Sequence, residues 1–435
     1  MSPIDRRRFL TRSLATFGAG AGVGAAGGLA AGGAVAGGAA ARGAAATTDV
    51  GPAEQTQAVL HRSLNTSVPF DGEHQAGILT PRPNQAGYVA LDSVAQNSSE
   101  LFEALQVLST QARLLTHGMA VGVTEVDDPP PDSGILGPYD NPDSLQVTIA
   151  FGHALFDGRY GLGKQRPAKL GEMPAFALDQ IDPARAGGDV LLQICANQRD
   201  TVVHTVRELM RQVAGRLVVR WTIDGFQTAQ RGPHPYSSTR NLFAFRDGTA
   251  NPDVTDAALM NRLIWVQPHS GEPAWATAGT YMVVRTIRQH VEFWDRVGML
   301  EQEQMIGRYR VSGAPLGGTD EYENPDYPSD PKGRRIKLDA HIRLANPRTP
   351  ATADQRILRR GYSYHRGVDE AGDLDEGLVF VAYNQDPERQ FATIQRRLET
   401  EPMTDYITPV GGGYFFAPRG ASGPGDWVGS ELARA

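Results

Sequence analysis

Leu191-Leu192-Gln193-Ile194-Cys195-Ala196-Asn197-Gln198 and Val379-Phe380-Val381-Ala382-Tyr383-Asn384-Gln385 read alike. Each is a short apolar run that stops at an Asn-Gln pair. Each then passes through a charged turn into an amphipathic segment, over 202–213 in the first case and 389–398 in the second. Apolar runs of this length bounded by turn residues predict buried strands, and the spacing that follows them is helical. The same plan extends outward from both. In the first half, strands are expected at 87–91, 145–151, 189–195 and 216–221. A helix is expected over 99–116, where Leu101, Leu105, Leu108, Ala112 and Leu115 share a face. In the second half, strands are expected at 280–287 and 377–383, and a helix over 290–305. The repeat predicts an α+β fold of two related halves, each an antiparallel sheet covered by helices. A boundary between about 225 and 236 divides the chain into domains 47–232 and 233–435.

The first 46 residues are of another kind. Arg6-Arg7-Arg8-Phe9-Leu10 precedes a long Ala/Gly run, and Ala44, Ala45 and Ala46 are small enough for a signal peptidase. Residues 1–46 therefore read as a twin-arginine signal peptide, with the Tat translocase as partner during export. The expected destination is the periplasm, the cell envelope or the medium. The whole chain carries −7; the first 46 residues hold five arginines and one aspartate, so the remaining 389 carry −11. That balance argues against general nucleic-acid binding. Cys195 is the only cysteine, which excludes an intrachain disulfide and a cysteine-rich metal site. Its apolar surroundings predict a buried strand residue. Beyond residue 46 no run of 18 apolar residues occurs, so no stable membrane span is expected.

Three segments could carry chemistry. Asp247 follows Phe243, Ala244, Phe245 and Arg246 and precedes Gly248, which permits a tight turn. A carboxylate at such a junction either faces a cavity or caps a turn. His341, in Asp339-Ala340-His341-Ile342-Arg343, follows a Gly-, Pro- and acid-rich loop over 312–335. An imidazole there either binds a transition metal or haem iron, or is an ordinary hydrogen-bonded residue. Arg359 and Arg360 are adjacent. In an extended segment they point to opposite sides, one into a pocket and the other to solvent or an acidic partner.

Taken together, Arg246-Asp247-Gly248-Thr249-Ala250-Asn251-Pro252, the His341 segment, Arg359-Arg360-Gly361 and Gly411-Gly412-Gly413-Tyr414-Phe415-Phe416-Ala417-Pro418 resemble the dye-decolourising peroxidase family. The resemblance is to its exported bacterial branch, which includes the deferrochelatase-type enzymes, and runs from about 85 to 420. It implies two ferredoxin-like domains, with haem b held mainly by the second. It implies His341 as the proximal iron ligand, Asp247 and Arg359 as the distal acid and arginine, and Asp405 as the carboxylate that orients His341. Arg343 is the candidate to neutralise a haem propionate. The family pattern Gly-x-x-Asp-Gly has Ala244 at its first glycine, which is tolerable unless the backbone there has positive φ. The activity implied is reduction of hydrogen peroxide through a ferryl intermediate, with dyes or small aromatic and phenolic molecules as one-electron donors. Two alternatives remain: a haem-handling or iron-acquisition protein with little turnover, and an exported protein that keeps the fold without catalysis. A homo-oligomer is compatible with each.

Overall fold

The computed structural model describes residues 63–122, 124–229 and 238–435. The expected export segment 1–46 and the expected boundary at 232/233 lie outside the described residues. The first half runs β1 (Gln85–Ser93), α1 (Ser98–His117), β2 (Gln146–Gly152), β3 (Val190–Ala196), α2 (Arg199–Gln212) and β4 (Leu217–Phe226). The second runs β5 (Thr280–Gln289), α3 (Val291–Trp294), α4 (Met299–Ile306), α5 (His341–Ala345), β6 (Tyr362–Val368), β7 (Leu374–Asn384), α6 (Thr393–Leu398) and β8 (Ile407–Ala417).

The strand order is β2-β3-β1-β4 in the first half and β6-β7-β5-β8 in the second. Both halves therefore place their strands in the order second, third, first, fourth, with every pairing antiparallel. That is the ferredoxin-like arrangement, made twice. The two sheets also join at both edges. β4 meets β6 through Phe226 and Ser363, and β8 meets β2 through Phe415–Gly152 and Phe416–Phe151. The eight strands thus close into a ring, which removes the exposed sheet edges.

Closure explains why the strands are apolar on both faces. Side chains alternate across a strand with period two. Tyr88, Ala90, Leu191, Cys195, Val284 and Tyr383 belong to one buried cluster. Their strand neighbours Val89, Leu91, Leu192, Ile194, Val283 and Ala382 belong to another, shared with α1 and α2. Cys195 is buried and unbridged, as its surroundings predict.

Three differences from the expected elements have local causes. The helix expected over 290–305 is two short helices, because Gly298 serves as the N-cap of α4. The helix expected over 389–398 opens with a π-turn, Glu388–Ala392, before α6. Strands β6 and β8 were not anticipated. β6 changes from buried to exposed at His365, and three consecutive glycines in β8 depress its strand signal. Among the described residues no helix is long and apolar enough to cross a membrane.

Candidate active site

The segment carrying Asp247 is nailed down by its two phenylalanines. Phe243 stacks on Trp294 at 4.4 Å between ring centroids, and Phe245 meets the same indole edge-on at 6.2 Å. Trp294 is fully buried. Between the phenylalanines the chain turns tightly. The Ala244 N–H donates to the Asn241 carbonyl at 2.9 Å, and Arg240 donates to the Ala244 carbonyl at 2.6 Å. Asp247 then emerges beside Gly248, whose φ of +97° a side chain would oppose.

Asn251 couples this segment to the arginine pair. Its side-chain amide donates to the Arg359 carbonyl at 2.8 Å, and its oxygen accepts from the Arg359 N–H at 3.0 Å. The amide thus imitates a strand neighbour. Arg359 lies in the short strand Leu358–Arg359, paired with β7. Arg359 Nη1 consequently donates to Asp247 Oδ1 at 2.7 Å. Burial pushes the Asp247 pKa up, but the charges of Arg359, Arg82 and His341 prevail and hold it below the ordinary carboxylate value of 3.8.

Arg360 points the other way, as alternation requires, but its environment differs from the expectation. It faces neither solvent nor an acidic partner. It is buried and donates to Gln146 Oε1 at 2.6 Å and to the Pro81 carbonyl at 3.3 Å.

His341 is the first residue of α5. Two contacts hold this one-and-a-half-turn helix. A Cβ on Gly307 would lie 2.7 Å from Ile342 Cγ1, so the end of α4 can pack here only as glycine, also at φ +91°. Arg397 donates to the Leu344 and Ala345 carbonyls at 2.8 and 3.3 Å, capping the helix with a cation at its negative end. His341 Nδ1 lies 2.6 Å from Glu401 Oε2, a carboxylate whose side chain is only 2% exposed. Burial opposes protonation of His341, but the charge and hydrogen bond of Glu401 outweigh it and raise the imidazole pKa.

The carboxylate on His341 is therefore Glu401, and the expectation for Asp405 is corrected. Asp405 lies four residues on, exposed, within the 3₁₀ turn Pro402–Tyr406 that starts directly after Glu401. Arg343 is corrected as well. It does not line the cavity. Its guanidinium donates to the Ile336 and Asp330 carbonyls at 2.9 and 3.0 Å and lies over the Tyr327 ring at 4.8 Å. It organises the loop before α5.

His341, Asp247, Arg359 and Glu401 all line one open cavity. Much of its wall is apolar, including Ile287, Leu378, Phe380, Phe391 and Ile394. Fully buried Arg285 also lines it. One Nη of Arg285 is paired with Asp179, while Nε and the other Nη have no partner. Arg246 also lines the cavity; its buried Nε makes no hydrogen bond and lies 3.9 Å from Glu321 Oε2. These donors suit a large, mostly hydrocarbon guest bearing carboxylates, and the imidazole suits a metal within it. Haem b has those features, so the residues present fit the group.

Residues 75–227 match the Dyp-type peroxidase N-terminal family, and residues 238–422 match its C-terminal counterpart. The chain belongs to the Dyp-type peroxidase family. It is 47% identical over 372 residues to the deferrochelatase of Escherichia coli strain K12, covering 85% of this chain and 88% of that protein. The Dyp-type peroxidase of Cellulomonas bogoriensis superposes with a TM-score of 0.76 at 36% identity, over 86% of this chain and 99% of that one. The Dyp-type peroxidase from Streptomyces coelicolor gives 0.77 at 33% identity, again over 86% and 99%.

One departure from the family pattern now has a physical consequence. Ala244 has φ +67°, in the left-handed region that its methyl group disfavours. Ala244→Gly is expected to raise stability by about 1 kcal/mol, since the strain relieved exceeds the chain entropy that glycine adds. Urea denaturation of the two chains measures this directly. A destabilised glycine variant would mean that the turn held by Arg240 tolerates alanine without strain.

Proposed function

We propose that the cavity takes up haem b with His341 as ligand to its iron, and that the chain handles that iron in the manner of a deferrochelatase. The observation that carries the haem reading is the His341–Glu401 contact. With Nδ1 committed to a buried carboxylate, Nε2 is the nitrogen left for a metal. Identity of 47% to a deferrochelatase, against 36% and 33% to the two peroxidases, supports iron handling as the first reading. Haem is then the substrate: ferrous iron leaves, and two protons take its place on the pyrrole nitrogens. Asp247, on the cavity wall with its side chain 19% exposed, is the carboxylate available to pass them. With residues 1–46 read as a twin-arginine signal, this chemistry belongs outside the cytoplasm.

A second reading, a haem peroxidase, is favoured by one specific feature, the 2.7 Å pair of Asp247 and Arg359 at the cavity wall. Bound haem would supply an iron that reacts with hydrogen peroxide and then draws single electrons from dyes or phenols. Asp247 would take a proton from the entering peroxide and return it to the departing oxygen. Arg359 would hold a fixed positive charge where negative charge develops.

One experiment separates the readings. The full chain is loaded with haem and its Soret band recorded. One portion is reduced anaerobically with dithionite in the presence of a ferrous chelator and followed for metal-free porphyrin fluorescence; another receives peroxide and a dye. Porphyrin release with little dye bleaching supports the first reading. Rapid bleaching with the porphyrin still metallated moves the function to the second, and no Soret band overturns both.

The choice of Glu401 over Asp405 carries its own prediction. Glu401→Gln is expected to weaken haem retention about 10- to 100-fold, the usual range for the partner of a ligating histidine. Asp405→Asn should leave it unchanged. Haem transfer to apomyoglobin reads both, and the reverse pattern would restore Asp405.

A further inference from the structure

Away from the cavity, Asp132, Asp140 and His204 each turn one ligand-type atom toward the others, and the three atoms lie within 4.8 Å of one another. They come from separate pieces of the first half. Asp140 ends the short strand Tyr139–Asp140, which pairs with Met119–Ala120 just beyond α1. Asp132 follows Pro129-Pro130-Pro131, and His204 sits within α2. The His204 and Asp140 side chains are only 1% and 6% exposed.

The cluster is not satisfied by its own hydrogen bonds. Asp132 Oδ2, Asp140 Oδ1 and His204 Nε2 are buried without a hydrogen-bond partner. His204 Nε2 comes within 3.2 Å of Asp140 Oδ2 but makes no hydrogen bond to it. Donor atoms around a tetrahedral ion with bonds of about 2.0–2.1 Å stand about 3.3 Å apart, close to that spacing. His204 Nδ1 lies 2.6 Å from Ser133 Oγ. The tautomer that donates from Nδ1 to Ser133 leaves the Nε2 lone pair for a metal, the usual support of a ligating histidine. The plainer reading is a buried ion pair of His204 and Asp140. An imidazolium would balance one carboxylate and leave the other facing it without a counter-charge. A dication balances both. Nearby Glu208 is already held by Arg211 at 2.7 Å.

We propose that Asp132, Asp140 and His204 bind one divalent first-row transition-metal ion, which staples the proline-rich segment before Tyr139 to α2. One imidazole and two carboxylates favour such an ion over Ca²⁺ or Mg²⁺, which take all-oxygen shells. Asp132 is partly exposed, so water can complete the shell from its side.

The probe is Zn²⁺ with the full chain, stripped by chelator and dialysed against the metal. Wild type is expected to retain about one equivalent of Zn²⁺ per chain by mass spectrometry, and its thermal midpoint to rise by about 2 °C or more. His204→Gln and Asp140→Asn should lose that equivalent and the shift. The double variant His341→Ala, Glu401→Gln, which strands no buried charge, should keep both, which separates this site from any metal at the cavity. If His204→Gln does not fold, Asp132→Asn, at a part-exposed position, should still weaken Zn²⁺ binding about 10-fold or more. Wild type holding no more Zn²⁺ than His204→Gln, or Asp132→Asn binding it as tightly as wild type, overturns the proposal.

Discussion

Replacing His341 with alanine is expected to lower haem affinity by about 100-fold or more and to remove the spectral signature of an imidazole-ligated iron. Among the described residues, His341 is the one histidine on the cavity wall. The apolar walls and the arginines would still receive the porphyrin, so weak binding should persist without the ligand. The substitution has a second effect. It leaves Glu401 buried without its partner, at 2% side-chain exposure. Removing one member of a buried pair costs about 3–5 kcal/mol. A poorly folded His341→Ala chain would therefore not by itself identify a ligand. The double variant His341→Ala, Glu401→Gln removes the stranded charge and should recover much of the stability while still binding haem weakly. If that folded double variant held haem as tightly as wild type, with an unchanged spectrum, His341 would have no part in holding iron.

The second large effect is expected at Arg359. Arg359→Leu should slow reaction of the haem-loaded chain with hydrogen peroxide about 10²- to 10³-fold, the range for loss of one fixed donor aimed at developing charge. Haem itself should stay bound. Asp247→Asn removes the proton carrier and should cost about 10²- to 10⁴-fold. The pH dependence separates the two roles. Because Asp247 has a depressed pKa in the fold, below 3.8, it remains a carboxylate in mildly acidic solution. The wild-type rate should therefore hold as pH falls toward about 4 and drop below that, as the carboxylate takes up its proton. Without Arg359, burial is opposed by less positive charge, so the Asp247 pKa rises and the drop moves to higher pH. The same sign applies to stability. A group with a depressed folded pKa contributes stability above its unfolded pKa, and that contribution is lost as pH falls through the folded pKa. Stopped-flow rates at a series of pH values test all of this. A wild-type rate that already falls near pH 6, or an Asp247→Asn chain with the same acid limb as wild type, would take Asp247 out of the reaction.

Local sequence carried much of this site. The run from Arg246 to Pro252 is a self-contained turn, so Asp247 could be singled out from its neighbours alone. The Arg359-Arg360 alternation was also legible, because an extended dipeptide is a short-range property, whereas His341 was left open locally and gained its role only from the family resemblance. The carboxylate on His341 was not. Glu401 and Asp405 lie four positions apart, and only the chain's entry into the 3₁₀ turn at Pro402 decides which reaches the imidazole. Arg343 was misplaced for a related reason: its fate depends on Asp330 and Tyr327, in a loop whose course has no periodicity to read. Arg82 left no signal. It contributes positive charge at Asp247 from far along the chain, held by the Gly361 carbonyl at 2.5 Å.

The sequence by itself determined the strands and helices of the first half and two of the four strands of the second, because period-two and period-3.6 burial are written in neighbouring residues. It also determined the residue types that could bind and act on a metal-centred guest. Only the tertiary structure decided that the two sheets close on each other. The seams rest on a few pairs, Phe226–Ser363, Phe415–Gly152 and Phe416–Phe151, with no local pattern to announce them. It alone decided which acid meets His341 and which guanidiniums gather at Asp247. Electrostatics and hydrogen bonding act over a few ångströms of space, and distance along the chain does not constrain them once the ring has closed.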